Sequence, residues 1–343
     1  MKNLLVAQSG GPSAAINATI TGVIDAGIES GRVGHVYGAL NGIKGVLNEN
    51  FVNLDEVCDT KEKRDLLAIT PAAALGSCRW KLGNPKENAE EFEEIIRILR
   101  KNDIGYFIYT GGNDSMDTVY KLSVYCEEHN IDDIKVMGAP KTIDNDLGET
   151  DHCPGFGSAA KFIATAFTEI ACDCFVYDVP SVTIVEVMGR NAGYLALWCG
   201  IANGAEDILL PEKYDYDEQK LINNIIEGRK RGKKHHIIIN AEGIGHSSSM
   251  AKRIEAATGI ETRATILGHM QRGGNPTCID RVHASMMGSY AVDLLAEGKT
   301  KRVVGYKNGE YVDFDINEAL AMEKGISEYQ YEVAKSLSAN YSK

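Results

Sequence analysis

At 343 residues, with 44% hydrophobic and 24% charged residues and 35 glycines, the chain has the length and composition of a globular enzyme of two α/β lobes or one large one, which excludes a small disulfide scaffold and gives no expectation of disorder. Its formal charge of −12, from 36 Lys+Arg against 48 Asp+Glu, argues against a broad nucleic-acid footprint, and no apolar run approaches the length of a membrane span. The run Leu4-Leu5-Val6-Ala7 is too short for a signal-peptide core, and the eight cysteines show neither a CxxC pair nor zinc spacing, so a cytoplasmic protein with reduced thiols is expected.

Residues 3–7 read as a buried strand, followed by the loop Gln8-Ser9-Gly10-Gly11-Pro12-Ser13 and a helix over about 14–30. Ser9-Gly10-Gly11 lets backbone N–H groups approach a phosphate at a helix N-terminus, although such a turn also serves as a plain βα connection. Residues 88–101 space Phe92, Ile95, Ile96 and Leu99 as one apolar helical stripe. Residues 104–109 predict a second strand, Thr110-Gly111-Gly112-Asn113-Asp114 a turn, and about 115–129 a helix, so the unit of strand, glycine turn and helix repeats. This second turn adds an amide, a carboxylate and the hydroxyl of Ser115.

Residues 134–139 form the next expected strand, and Pro140-Lys141-Thr142-Ile143-Asp144-Asn145-Asp146 follows it directly. Asp, Asn and Thr are ordinary turn residues. Phosphoryl transfer to an alcohol, however, needs a base, metal ligands and a cation on the moving group, and this heptad carries all three. Further strands are expected at 182–187, 236–240 and 262–267. Met188-Gly189-Arg190 after the first of them offers backbone amides and a guanidinium. Arg263 and Gly268-His269-Met270-Gln271-Arg272-Gly273-Gly274 set two arginines and a histidine around another strand end. In so acidic a chain, cations gathered at glycine turns point to a phosphorylated ligand, although a histidine such as His269 is, by itself, more often a hydrogen-bonded structural one. The alternation of strands and helices predicts doubly wound, mostly parallel sheets with ligands at the carboxyl ends of the strands, in two lobes with an active-site cleft between them.

Taken together and in order, Ser9-Gly10-Gly11, Gly111-Gly112-x-Asp114-Ser115, the 140–146 heptad, Val185-Glu186-Val187-Met188-Gly189-Arg190, Ala241-Glu242-Gly243 and Leu267-Gly268-His269-Met270-Gln271-Arg272-Gly273-Gly274 resemble the phosphofructokinase family from the first strand to about residue 295. The resemblance implies a phosphoryl-donor lobe of residues 1–150 plus about 270–320 and a sugar-phosphate lobe of 151–269. It implies that Asp144 is the general base for the 1-hydroxyl of fructose 6-phosphate, that Thr142 orients the moving phosphoryl group and that Arg190 stabilises its charge. Met188, Gly189, Glu242, Arg263, His269 and Arg272 would hold the sugar phosphate, with Arg263 supplied by a neighbouring subunit, hence a homodimer or homotetramer with shared active sites. Gly11, Arg79, Gly112, Asn113, Asp114, Ser115 and Lys141 would bind the donor, with Mg²⁺ held near Asn113, Asp114 and Asp146.

Members that use ATP resemble one another in having glycine at the positions of Asp114 and Lys141, and pyrophosphate users carry aspartate and lysine, so the resemblance implies pyrophosphate as donor. Three departures stand out: Asn113 replaces an aspartate associated with Mg²⁺, Ser181 replaces an arginine that reaches the neighbour's sugar phosphate, and Thr21 and Asp25 replace effector-binding arginines. The rival readings are an ATP-dependent enzyme of the same fold, a non-catalytic ligand-sensing relative, and an NAD or lipid kinase. The last group lacks the 140–146 and 188–190 signatures together.

Overall fold

In the computed structural model, which describes residues 1–213 and 216–340, the apolar runs become strands and the striped segments become helices. In chain order the elements are β1 (Asn3–Gln8), α1 (Ile16–Ser30), β2 (Val36–Ala39), α2 (Gly42–Leu47), β3 (Phe51–Asn53), α3 (Leu54–Val57), α4 (Lys61–Ile69), α5 (Ala89–Lys101), β4 (Ile104–Gly111), α6 (Asn113–Glu128), β5 (Lys135–Pro140) and α7 (Phe156–Phe175). They continue with β6 (Ser181–Val187), α8 (Tyr194–Asn203), β7 (Asp207–Leu209), α9 (Glu218–Lys230), β8 (His235–Ala241), α10 (Ser247–Thr258), β9 (Glu261–Ile266), α11 (Cys278–Ala296), β10 (Arg302–Lys307), β11 (Glu310–Asp315), α12 (Ile316–Ala321) and α13 (Glu328–Asn340).

Two compact units result. Among the described residues the first comprises 1–143, 147–158 and 272–324, and the second 144–146, 159–213, 216–271 and 325–340. The sequence placed its breaks near 150, 269 and 320, whereas packing keeps 151–158 with the first unit and joins 325–340 to the second. The first unit is built on a seven-stranded sheet ordered β11-β10-β5-β4-β1-β2-β3, whose central five strands run parallel and whose two edge strands run antiparallel. Both faces are covered, as a parallel sheet requires. Leu5, Phe92, Ile95, Phe107 and Leu122 pack on one side, and Leu4, Ile20, Met137, Met287 and Leu295 on the other. The second unit carries a four-stranded, all-parallel sheet ordered β7-β8-β6-β9, with Val182, Ile184, Leu221, Ile225 and Ile254 in its core.

Helices α1 and α11 cross closely because of two glycines. A Cβ on Gly22 would stand 2.0 Å from the Ser285 carbonyl oxygen, and one on Gly288 would stand 2.2 Å from that of Thr19. The expected strands and helices appear within a residue or two of their bounds, with one consequential difference. Helix α6 begins at Asn113, with Gly112 as its N-cap, so Asn113 and Asp114 lie in the first helical turn and not in the loop before it. Strands β2, β3, β7, β10 and β11 were not foreseen; β2, β3 and β7, at three to four residues, are too short to display an alternation.

Candidate functional site

In the first unit β1 lies between β2 and β4, and Ala7 and Gln8 stand beside Tyr109 and Thr110. The two glycine loops therefore leave the sheet side by side at its carboxyl edge, where ligands of parallel sheets bind. Strand β5 pairs with β4 so that Gly111 faces Pro140, which brings Lys141 and Thr142 to the same edge. Lys141 is buried, 3% exposed, and its ammonium donates to the Gly11 carbonyl oxygen. A cation is thus fixed across the first loop. The Arg272 guanidinium also lies over this loop: a Cβ on Gly11 would fall 2.8 Å from its Cζ, so a side chain there would have to displace the arginine.

Around these groups the hydroxyls of Ser13, Thr110 and Ser115 are buried without a hydrogen-bond partner among the described residues. Phosphate oxygens satisfy donors of this kind. The segment carrying Arg79 is tied down beside them, because Ser77 Oγ donates to the Gly10 carbonyl at 2.6 Å and Lys81 pairs with Asp114 at 2.8 Å. Arg79 itself lines a cavity of about 400 Å³ with Asn41, Lys44, Cys78 and Trp80. Asp114 stands in the first turn of α6, where the helix dipole favours a negative charge. Tyr109, below the loops, has its phenol pushed well above the ordinary range by burial, so it stays neutral.

In the second unit the carboxyl ends of β6 and β8 meet. Arg190 holds a left-handed φ of +54°, unusual for a residue with a long side chain, and its N–H donates to Glu242 Oε1 at 2.8 Å. Gly243 approaches so closely that a Cβ there would stand 2.2 Å from the Arg190 carbonyl oxygen. The Arg190 Nε lies 3.9 Å from Asp144 Oδ2, with Asp144 largely buried and Arg190 open to solvent. Asn145, between the two aspartates, also takes a positive φ of +55°, a conformation Asn tolerates better than most residues. Arg190 and Asn145 thus both hold strained backbone within one polar cluster, although seven other non-glycine residues of the described chain also take a positive φ.

The Met188 N–H donates to Gln271 Oε1 at 3.1 Å, and Gln271 Nε2 donates back to the Gly268 carbonyl at 2.9 Å. The His269 turn is thereby tied to the end of β6, and His269 itself is exposed. Gln271, 1% exposed, is a support that sequence reasoning passed over. It sits inside a recognised run, but a buried amide leaves no mark in a sequence. Lys81 was missed because its pairing with Asp114 spans 33 residues.

Some expected residues lie away from the strand ends of their own unit. Arg263 sits mid-strand on β9, level with Thr183 and paired with Glu261 at 2.7 Å. Four residues separate Thr183 from Val187, which is about 13 Å along a strand. Ser181 stands at the far, amino end of β6 and shares a 2.9 Å hydrogen bond with His235 Nδ1. Thr21 is buried and donates to the Asn17 carbonyl, while Asp25 pairs with Arg64. A larger cavity of about 560 Å³, lined by Glu206, Lys213, Arg231, Lys233 and Tyr331 of the second unit, contains none of the expected site residues. Among the described residues no helix is long and apolar enough to cross a membrane.

Residues 3–295 match the family described as Phosphofructokinase. The ATP-dependent 6-phosphofructokinases of Clostridium botulinum (strain Loch Maree) and Clostridium acetobutylicum are each 39% identical to this chain, over 340 and 341 residues, which is 98% of this chain and 100% of theirs. Among solved structures, the pyrophosphate-dependent phosphofructokinase of Nitrosospira multiformis is similar with a TM-score of 0.85 at 30% identity, covering 95% of this chain and 86% of that one. That of Marinobacter aquaeolei has a TM-score of 0.83 at 30% identity, covering 98% and 91%. Sheet order, glycine loops, heptad and whole-length likeness lead to one conclusion: the chain belongs to the phosphofructokinase family.

Proposed function

We propose that this protein transfers a phosphoryl group from inorganic pyrophosphate to the 1-hydroxyl of fructose 6-phosphate, giving fructose 1,6-bisphosphate and orthophosphate. The observation that carries the reading is the pair Lys141 and Asp114. One is a buried ammonium laid across the Gly10-Gly11 loop, and the other a carboxylate in the first turn of α6. The cation suits a compact, highly charged diphosphate. The carboxylate adds negative charge where a nucleotide would bring a further phosphate, and like charges there disfavour ATP.

In the transfer, the sugar hydroxyl oxygen attacks one phosphorus of pyrophosphate, the bridging P–O bond breaks, and orthophosphate leaves with the electron pair. Asp144 takes the hydroxyl proton, Thr142 orients the moving group, and Arg190 offsets its charge. Lys141 offsets charge on the leaving phosphate. The remaining donor contacts fall to Gly11, Arg79, Gly112, Asn113 and Ser115. Met188, Gly189, Glu242, His269 and Arg272 hold the sugar phosphate.

Among the described residues no group of three or more His, Cys, Asp or Glu side chains stands ready to cage a metal. Mg²⁺ needs no such cage, because it takes one or two carboxylates and completes its octahedron with water and phosphate oxygens. Asp114, Asp146 and the amide of Asn113 would hold it, and it would neutralise charge on the diphosphate.

Arg263 would serve a neighbouring subunit of a homodimer or homotetramer. Its mid-strand place on the edge strand β9 and the exposed apolar Phe175, Val176, Tyr177 and Ile266 of the same unit support that reading. A second donor reading is favoured by one finding: the 39% identical relatives carry the name ATP-dependent. Initial rates of the purified protein with Mg²⁺, for pyrophosphate and ATP against fructose 6-phosphate and sedoheptulose 7-phosphate, decide. Preference for ATP sinks the proposed donor, and no turnover with either donor sinks the reaction.

A further inference from the structure

We propose that the buried cluster of Asp280, His152 and Ser158 positions the catalytic segment, holding the backbone of Thr142 and Ile143 in the register from which Asp144 follows. This rests on the reading that Thr142 and Asp144 carry the transfer. Asp280, the third residue of α11, is fully buried. Its Oδ1 lies 2.6 Å from His152 Nε2, and its Oδ2 accepts from both the N–H and the hydroxyl of Ser158 at 2.6 and 2.5 Å. With Asp280 ionised, His152 Nε2 carries the proton. Ser158 Oγ accepts in turn from the Thr277 N–H at 3.0 Å, and Thr277 Oγ1 caps the Asp280 N–H at 3.3 Å. Residues 152–158 are thereby fastened to the start of α11. Burial alone would raise the Asp280 carboxyl, but the hydrogen bonds from His152 and Ser158 outweigh it and hold the group below its usual value.

Inside the fastened turn Gly155, with φ +107°, makes a parallel backbone bridge to Thr142. A Cβ at Gly155 would stand 2.9 Å from Ser13 Cβ and 3.5 Å from Ile143 Cγ2, so this glycine is wedged between the first phosphate loop and the heptad. The clamp therefore has α11 on one side and the expected catalytic backbone on the other. A buried carboxylate is a poor way to gain stability, since an apolar contact of the same volume serves as well or better. It is a good way to fix geometry, because three directed hydrogen bonds admit one arrangement of the turn. A displacement of about 1 Å at a reacting group can cost on the order of 10² in rate.

The test compares the full-length wild type with Asp280→Asn, His152→Phe and His152→Gln, the last keeping an N–H that can reach Asp280. Backbone hydrogen exchange of the 140–146 segment and the split between kcat and KM are both read. In His152→Phe and Asp280→Asn, exchange at 140–146 should rise at least about tenfold while that of the α1 core holds. Turnover per folded molecule should drop by about 10–10² with KM for both substrates changed less than about threefold. His152→Gln should recover most of both. A lowered melting temperature with unchanged exchange at 140–146, or a change in only one of the two readouts, overturns the proposal. If Asp280→Asn does not fold, the two His152 variants decide. If wild type turns over no donor, the functional reading falls, and the exchange experiment still rules on the brace.

Discussion

Asp144, the proposed base, is 8% exposed, with the Arg190 Nε 3.9 Å from its Oδ2. Asp144→Ser should therefore bind both substrates nearly as wild type and lose about 10²–10⁴ in kcat, read by initial rates alongside KM. Near-normal turnover would move the role of base to Asp146. The donor residues separate by their surroundings. Asp114 is half exposed and balanced by Lys81, so Asp114→Gly should fold normally and raise the ATP-supported rate by about tenfold, the scale of one relieved like-charge contact. Lys141 is buried against the Gly11 carbonyl, so Lys141→Gly should chiefly lower the pyrophosphate rate, by about 10². Rates of the single and double variants with each donor, and inhibition by ATP analogues, test this. An unchanged response to the analogues in Asp114→Gly would count against the carboxylate as the excluding group.

Helix α11 connects the two glycine-tight contacts on α1 with the β10–β11 hairpin, and His283 is its link to the hairpin. The His283 Nδ1 lies 3.1 Å from Tyr311 Oη, and its ring lies 4.1 Å from that of Tyr306. Burial first, and then the neighbouring His152, hold the imidazole below its ordinary value, against the opposing pull of Asp280. The folded state thus binds fewer protons than the unfolded one just below about pH 6.5, and stability from this site is present above that pH and lost as the pH falls through the lowered value. Urea midpoints at pH 7.5 and 5.5 should show a larger acid loss in wild type than in His283→Gln. Equal losses would mean that the imidazole is not kept neutral by the fold.

At the scale of the whole molecule, the proposed donor makes a thermodynamic statement. Pyrophosphate and a sugar phosphate ester lie closer in transfer potential than ATP and the ester do, so the enzyme should run readily in both directions. Fructose 1,6-bisphosphate incubated with orthophosphate and Mg²⁺ should yield pyrophosphate, measured by a coupled pyrophosphate assay. None formed while the forward reaction runs would contradict the donor assignment.

Much of this protein was legible in the chain, because two kinds of signal are local. Short apolar runs ending in glycine turns mark parallel strands and the glycine loops that follow them, and dense polar stretches such as residues 140–146 follow those strands without any core requiring them. These determined the α/β class and the family resemblance, and they supplied the expected site residues. What depended on distance along the chain was hidden. The short strands β2, β3, β7, β10 and β11 exist because neighbours pair with them, and no periodicity of their own declares them. Helix α6 begins at Asn113, because Gly112 supplies the extended backbone of an N-cap. Lys81 finds Asp114, Gln271 finds Met188, and Asp280 finds His152 and Ser158 across 128 and 122 residues. Side-chain identity states what a residue can bond, but only the tertiary fold decides which of many eligible partners it meets once water is excluded.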